Sequence, residues 1–70
     1  MVNLTYLMHY LDKYNVYCYY NPIDTSFICS AESQGYNKCR AYTVEEICAF
    51  LDVYTYQEVA YMIRHALTAL

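Results

Sequence analysis

Glycine, proline and tryptophan are nearly missing from this sequence, since its 70 residues include one glycine, one proline and no tryptophan. The hydrophobic fraction is 59%, so the chain can bury enough apolar surface to offset the entropy lost on folding. A chain of this length has room for one domain and lies near the lower limit at which a single core suffices. We therefore expect one compact domain over residues 1–70.

Long apolar runs are also missing. Charged residues interrupt every apolar stretch well before the ~20 residues that a membrane-spanning helix needs. Residues 1–11 lack the basic start and the small-residue cleavage site of a secretory signal peptide. We expect a cytoplasmic protein with no membrane partner.

Basic charge is scarce, with four lysines and arginines against seven acidic residues and a net charge of −3. Neutralising a phosphate backbone requires several basic side chains, so the composition disfavours direct nucleic-acid binding. The acidic residues are less dense than in a protein that imitates DNA. DNA mimicry is therefore a minor alternative.

No CxxC pair occurs among the four cysteines, Cys18, Cys29, Cys39 and Cys48. Tetrahedral zinc sites usually draw their ligands from close pairs, so this spacing predicts no metal site. Two disulfides would be expected in a secreted chain, whereas a reducing cytosol keeps thiols free. We expect the cysteines to be small, mostly buried apolar side chains.

Signatures of catalysis are missing as well. The sequence contains no glycine-rich phosphate loop and no paired-carboxylate motif. The two histidines, His9 and His65, lie outside the apolar stripes of two helical segments, where an imidazole is usually solvated. A cysteine–histidine pair would have to meet in space, and buried thiols react slowly. We expect no enzymatic activity and no cofactor.

Helical periodicity is present near the start of the chain, where apolar residues recur at Leu4, Leu7, Met8 and Leu11. This spacing predicts an amphipathic helix over residues 3–14, which Asn3 can cap.

Two β-prone runs, residues 16–20 and 26–31, flank a turn-rich segment and predict a hairpin. A register that pairs Cys18 with Cys29 places alternate side chains on one face: Val16, Cys18, Tyr20, Phe27, Cys29 and Ala31. Tyr17 and Tyr19 point to the other face. Residues 32–37 are expected to form a loop, and residues 38–42 a short third strand.

Two capping boxes mark helix starts in the second half, at Thr43 with Glu46 and at Thr55 with Glu58. The first of these helices is expected to bury five side chains: Val44, Ile47, Cys48, Phe50 and Leu51. The second is expected to bury seven: Tyr56, Val59, Ala60, Ile63, Ala66, Leu67 and Leu70. The order of elements predicts an α+β fold, with an N-terminal helix, a hairpin or three-stranded antiparallel sheet, and two C-terminal helices.

The run Thr43-Val44-Glu45-Glu46-Ile47, followed by Leu51-Asp52-Val53 and a second capped helix, resembles the helix-turn-helix of excisionase-type DNA-binding domains. The resemblance covers residues 43–67 and implies that the helix starting at Thr55 enters the major groove. The chain departs from the pattern in three ways. Asp52 stands at the usual turn glycine, the turn is one residue longer, and the implied recognition helix carries one arginine, Arg64.

Tyrosine is abundant, with eleven in the chain. Its ring is apolar and its hydroxyl needs a partner, a combination that is common at protein interfaces. Tyr6, Tyr10 and Tyr14 follow at intervals of four residues beside the apolar stripe of the first helix. The predicted interface comprises these three and six further residues: Tyr17, Tyr19, Gln57, Tyr61, Arg64 and His65.

These features favour a small protein-binding module that acts as an inhibitor or adaptor by steric occlusion of a protein target. In general character the chain is similar to the anti-defence proteins of phages and mobile elements, including anti-CRISPR proteins. A nucleic-acid-binding protein is a possible target, because the acidic residues would complement its basic groove. Two alternatives are a degenerate helix-turn-helix regulator over residues 43–67 and a structural homodimer.

Overall fold

The computed structural model describes residues 3–31 and 39–69 of the chain. Six helices and strands follow one another along these residues: α1 (Leu4–Lys13), β1 (Val16–Asn21), β2 (Ser26–Ala31), β3 (Cys39–Thr43), α2 (Val44–Val53) and α3 (Tyr56–Thr68). The strands form one antiparallel sheet in the order β1-β2-β3. The predicted α+β class is confirmed.

Both predicted capping boxes are present. The Thr43 Oγ1 accepts the Glu46 amide at 3.1 Å, and the Glu46 Oε1 accepts the Thr43 amide at 2.8 Å. At the start of α3 the Thr55 Oγ1 accepts the Glu58 amide at 3.2 Å, and the Glu58 Oε1 accepts the Thr55 amide at 3.0 Å. Each box satisfies amide groups that a helix start leaves without intrahelical partners.

The first helix begins where the sequence predicts. The Asn3 Oδ1 accepts the Tyr6 amide at 3.0 Å and caps α1. After α1 the backbone reverses at Asn15, whose φ of 60° lies in the left-handed region that asparagine tolerates better than most residues. The chain then enters β1 directly.

The hairpin register is the predicted one, with Cys18 opposite Cys29 and Tyr20 opposite Phe27. In the turn, the Asp24 Oδ1 accepts the Ser26 amide at 3.1 Å and the Ser26 hydroxyl at 2.6 Å. These hydrogen bonds lower the pKa of the Asp24 carboxyl, because they favour its charged form.

The predicted third strand is also found, as β3, which pairs with β2. It extends one residue further than the predicted range, to Thr43, which is also the cap of α2. The predicted loop at 32–37, Lys38 and Leu70 lie outside the described residues. Because β2 is the central strand, β1 and β3 are the two edges of the described sheet.

The hydrophobic core lies between the helices and one face of the sheet. Its buried members come from all three helices and from β1 and β2: Leu7, Leu11, Val16, Phe27, Cys29, Ala31, Ile47, Val59, Ala60, Ile63 and Leu67. The helix α3 contacts the central strand β2, α1 contacts β1 and α3, and α2 contacts β3 and α3. The central position of α3 explains why it buries four side chains completely.

Predicted burial was too generous on α2, at Tyr20, and at Tyr56 and Ala66 of α3, which are partly buried. Of the five side chains assigned to the core side of α2, only Ile47 is fully buried, because α2 lies against the edge strand β3. Phe50 and Leu51 are partly buried against the core, and the Phe50 ring meets Tyr42 edge-on at 6.0 Å. Tyr20 is 40% exposed, since it lies next to the turn at the end of an edge strand.

Candidate protein-binding surface

The spacing of Tyr6 and Tyr10 on α1 brings their rings into contact. Their centroids are 5.3 Å apart, with the ring planes at 83°, and their hydroxyl oxygens are 3.4 Å apart. The hydrogen bond between the hydroxyls raises the pKa of Tyr6, and so does the charge that Tyr10 would carry when ionised. The two rings therefore restrain each other at the helix surface.

The tyrosines of α1 continue onto α3 through two ring contacts. Tyr6 meets Tyr56 edge-on at 4.9 Å, and Tyr14 meets Tyr61 at 6.2 Å. The Tyr56 hydroxyl also accepts the Asn3 amide at 3.0 Å and so connects the start of α3 to the start of α1. Edge-on pairs at these distances are favourable for aromatic rings.

Beyond Tyr61 the aromatic contacts extend to a histidine. The His65 ring stacks on Tyr61, with centroids 6.1 Å apart and planes at 16°. We call the resulting array across α1 and α3 the tyrosine surface, and define it by five residues: Tyr6, Tyr10, Tyr14, Tyr61 and His65.

Exposure varies along the tyrosine surface. Tyr61 is 57% exposed and Tyr6 47%, whereas Tyr10 and Tyr14 are partly buried and pack against the core. Tyr6 and Tyr61 can therefore contact a partner, while Tyr10 and Tyr14 pack between these rings and the core.

An open groove of about 380 Å³ adjoins Tyr61, where the end of α1 meets the start of α3. The rings of Tyr14, Tyr54 and Tyr61 line it together with Met62, and Gln57 and Glu58 contribute polar atoms. Tyr14, Gln57 and Tyr61 belong to the predicted interface, whereas four lining residues were not predicted: Tyr54, Thr55, Glu58 and Met62. Tyr54 immediately precedes the cap of α3, and no sequence pattern shows that Tyr14 lies beside it.

The remaining predicted interface residues lie elsewhere. Tyr17 and Tyr19 are about half exposed on the sheet face that points away from the core, opposite Ser30 and Ile28 of β2. Arg64 is partly buried on α3. The sheet face is thus separate from the tyrosine surface.

The cysteines are less buried than predicted, because Cys29 is buried, Cys18 and Cys48 are partly buried and Cys39 is exposed. The four thiols are free, and burial raises the pKa of Cys18 to about 11 and that of Cys29 further. His9 meets the Tyr10 ring edge-on at 6.1 Å. Within residues 3–31 and 39–69, no three metal-binding side chains come together.

The two consecutive helices implied by the helix-turn-helix resemblance are present as α2 and α3, separated by residues 54–55. On α3, Tyr61 contacts α1, and Arg64 is the one arginine or lysine of the helix. Phosphate and base contacts usually come from several basic or amide side chains. DNA recognition by α3 stays the untested alternative to protein binding.

No helix within the described residues is both long enough and apolar enough to cross a membrane. No protein-family model matches the chain, and the comparisons with curated proteins and with solved structures likewise find no match.

Proposed function

We propose that this chain is a non-enzymatic module that binds another protein in the cytoplasm and acts as an inhibitor or adaptor by covering part of that protein's surface. The observation that supports this proposal best is the tyrosine surface across α1 and α3. Exposed tyrosines such as Tyr6 and Tyr61 are a common feature of interface hot spots.

The contacts within the tyrosine surface favour tight binding. The Tyr61 ring contacts both Tyr14 and His65, which restrict its motion. It therefore loses less conformational entropy on binding than an isolated exposed ring would. Rigid aromatic side chains supply a large contact area at low entropic cost. When a partner covers Tyr61, most of the free energy from burying this apolar ring would therefore contribute to binding.

The charge of the chain favours a basic target. With a net charge of −3, it would be attracted to the positive surface of a nucleic-acid-binding protein and would compete there with nucleic acid. This mode of action is that of the phage and mobile-element anti-defence proteins that the chain resembles in general character. The analogy concerns size, charge and composition, and no motif carries it.

The proposal is tested by capturing the target from a lysate of the native cell and measuring its affinity for variants of the chain. Tyr61→Ala should change the free energy of unfolding by only about 0.5 kcal/mol, because the side chain is mostly exposed. Binding should weaken by about 2 kcal/mol, or roughly thirtyfold. Tyr20→Ala, at the turn end of β1 and outside the predicted interface, is the matched control and should bind normally.

Three other results would contradict the proposal. Unchanged affinity of Tyr61→Ala together with weaker binding of Tyr19→Ala would move the interface to the sheet. Recovery of duplex DNA in place of a protein would favour the helix-turn-helix alternative. If the isolated chain has twice its monomer mass in solution at high concentration, the structural homodimer would be favoured.

A further inference from the structure

The groove beside Tyr61 has walls that suit a cation. Three tyrosines of the described residues line it, and the rings of Tyr14 and Tyr61 are in edge contact at 68°, so their planes border the groove at different angles. The faces of aromatic rings attract cations that lie within about 6 Å of the centroid. Helix α1 contains one such contact, since the Lys13 Nζ lies 5.2 Å from the centre of the Tyr10 ring.

A carboxylate is fixed at the same groove. The Glu58 Oε1 accepts the Thr55 amide at 3.0 Å, which holds the side chain at the first turn of α3. Glu58 is exposed, and this capping bond leaves its second carboxylate oxygen free to accept a hydrogen bond from a ligand. A planar cation can therefore lie on a tyrosine ring and donate to Glu58.

The charge balance at the groove favours a positive ligand. Among the described residues that line it, none is a lysine or an arginine. The start of α3 contributes about half a positive charge, which the full negative charge of Glu58 outweighs. The net charge of −3 adds attraction at longer range.

We propose that this groove receives an arginine side chain that projects from the partner protein, an inference that rests on the proposed protein-binding function. Arginine suits the groove better than lysine, because its guanidinium is planar, less strongly hydrated and able to stack on a ring while it pairs with a carboxylate. The volume of about 380 Å³ lies within the ~300–1,000 Å³ range of ligand-binding clefts.

The inference is tested on the full chain with three capped peptides that carry arginine, citrulline or norleucine between two glycines. Citrulline has nearly the shape of arginine without its charge. Dissociation constants are measured by NMR from the ring signals of Tyr14 and Tyr61. We expect the arginine peptide to bind about tenfold more tightly than the citrulline peptide.

Two substitutions separate the contributions of charge and ring. Glu58→Gln keeps an oxygen that can accept the Thr55 amide, so the cap is retained while the charge is lost. Tyr61→Leu keeps an apolar side chain and removes the ring. Each should weaken binding of the arginine peptide about fivefold and leave the citrulline peptide unaffected. Tyr20→Leu, at the turn end of β1 and outside both the predicted interface and the groove, should bind both peptides as the unmodified chain does.

Other outcomes overturn the inference. Equal binding of all three peptides, or tighter binding of norleucine, would make the groove an apolar pocket, and unshifted Tyr14 and Tyr61 signals would exclude it as the site. With the captured partner, weakening by Tyr61→Ala but not by Glu58→Gln would refute only the arginine inference. If Tyr61→Ala has no effect on that partner, the proposed function fails instead.

Discussion

Replacing Thr43 or Thr55 with alanine removes the hydroxyl oxygen that caps α2 or α3. In each case the lost hydrogen bond is the one accepted from the glutamate three residues later, at 3.1 Å for Glu46 and 3.2 Å for Glu58. Both threonines are exposed, so water can satisfy the amide that loses its partner. The expected loss is therefore that of the cap alone, about 1 kcal/mol of unfolding free energy.

A loss of this size is large for a chain of 70 residues. The core of so small a domain rarely supplies more than about 3–5 kcal/mol of net stability. A change of 1 kcal/mol lowers the melting temperature of such a domain by about 4–8 °C. Thr5→Ala makes the same chemical change at an exposed position in α1 that is not the cap, and should shift stability by less than about 0.5 kcal/mol.

The two helices should respond differently in hydrogen exchange. The helix α2 fully buries only Ile47, so it can open while the rest of the domain stays folded, whereas α3 buries four side chains at the centre of the core. Thr43→Ala should therefore speed exchange about fivefold both in α2 and in the core amides that exchange by global unfolding. Thr55→Ala should speed exchange of the core amides by the same factor as Thr43→Ala does, but leave the exchange rate of the α2 amides unchanged.

Two results would refute this reasoning. Unchanged melting temperatures in both variants would show that the capping boxes do not stabilise the helices. If Thr55→Ala speeds exchange in α2 as much as in β2, α2 opens only when the whole domain unfolds, and its limited burial does not make it independent. Thermal unfolding and amide exchange on the same samples distinguish the two cases.

Two further predictions concern reactivity and partners. Iodoacetamide at pH 8 should alkylate the exposed Cys39 first and the buried Cys29 last, as measured by peptide mapping. The alkylation rate of Cys18 should rise about tenfold per pH unit as the pH approaches the Cys18 pKa of about 11. Alkylation of native Cys29 as fast as Cys39 would contradict the assigned burial. Duplex DNA should bind no more tightly than roughly 0.1 mM near physiological salt, because α3 offers one arginine. Sub-micromolar binding with a steep salt dependence, in a titration, would reverse the ranking of the proposed functions.

The local elements of the fold were predictable because their signals are short-range. Thr43 and Thr55 are each followed by a glutamate at the third position, which starts a helix wherever the rest of the chain lies. The alternation of side chains and the turn between the strands likewise determined the register that pairs Cys18 with Cys29. These features depend on neighbours within a few residues.

The degree of burial was less predictable. An apolar stripe shows which side of a helix turns inward, but not how far the helix reaches over the sheet. The stripe of α2 resembles that of α3, yet α2 lies against the edge strand β3 and α3 over the central strand β2. Burial of Val44 and Cys48 was therefore overpredicted, whereas the core positions of Val59 and Ile63 were right.

The sequence by itself determined the class of fold, the starts of the helices, the hairpin register and the abundance of tyrosine. Only the tertiary structure decided which tyrosines of α1 meet those of α3. Tyr14 and Tyr61 are far apart along the chain, and their contact depends on how α1 packs against α3. The groove beside them exists for the same reason, since helix packing, which no local pattern encodes, brings Tyr54 and Glu58 to the end of α1.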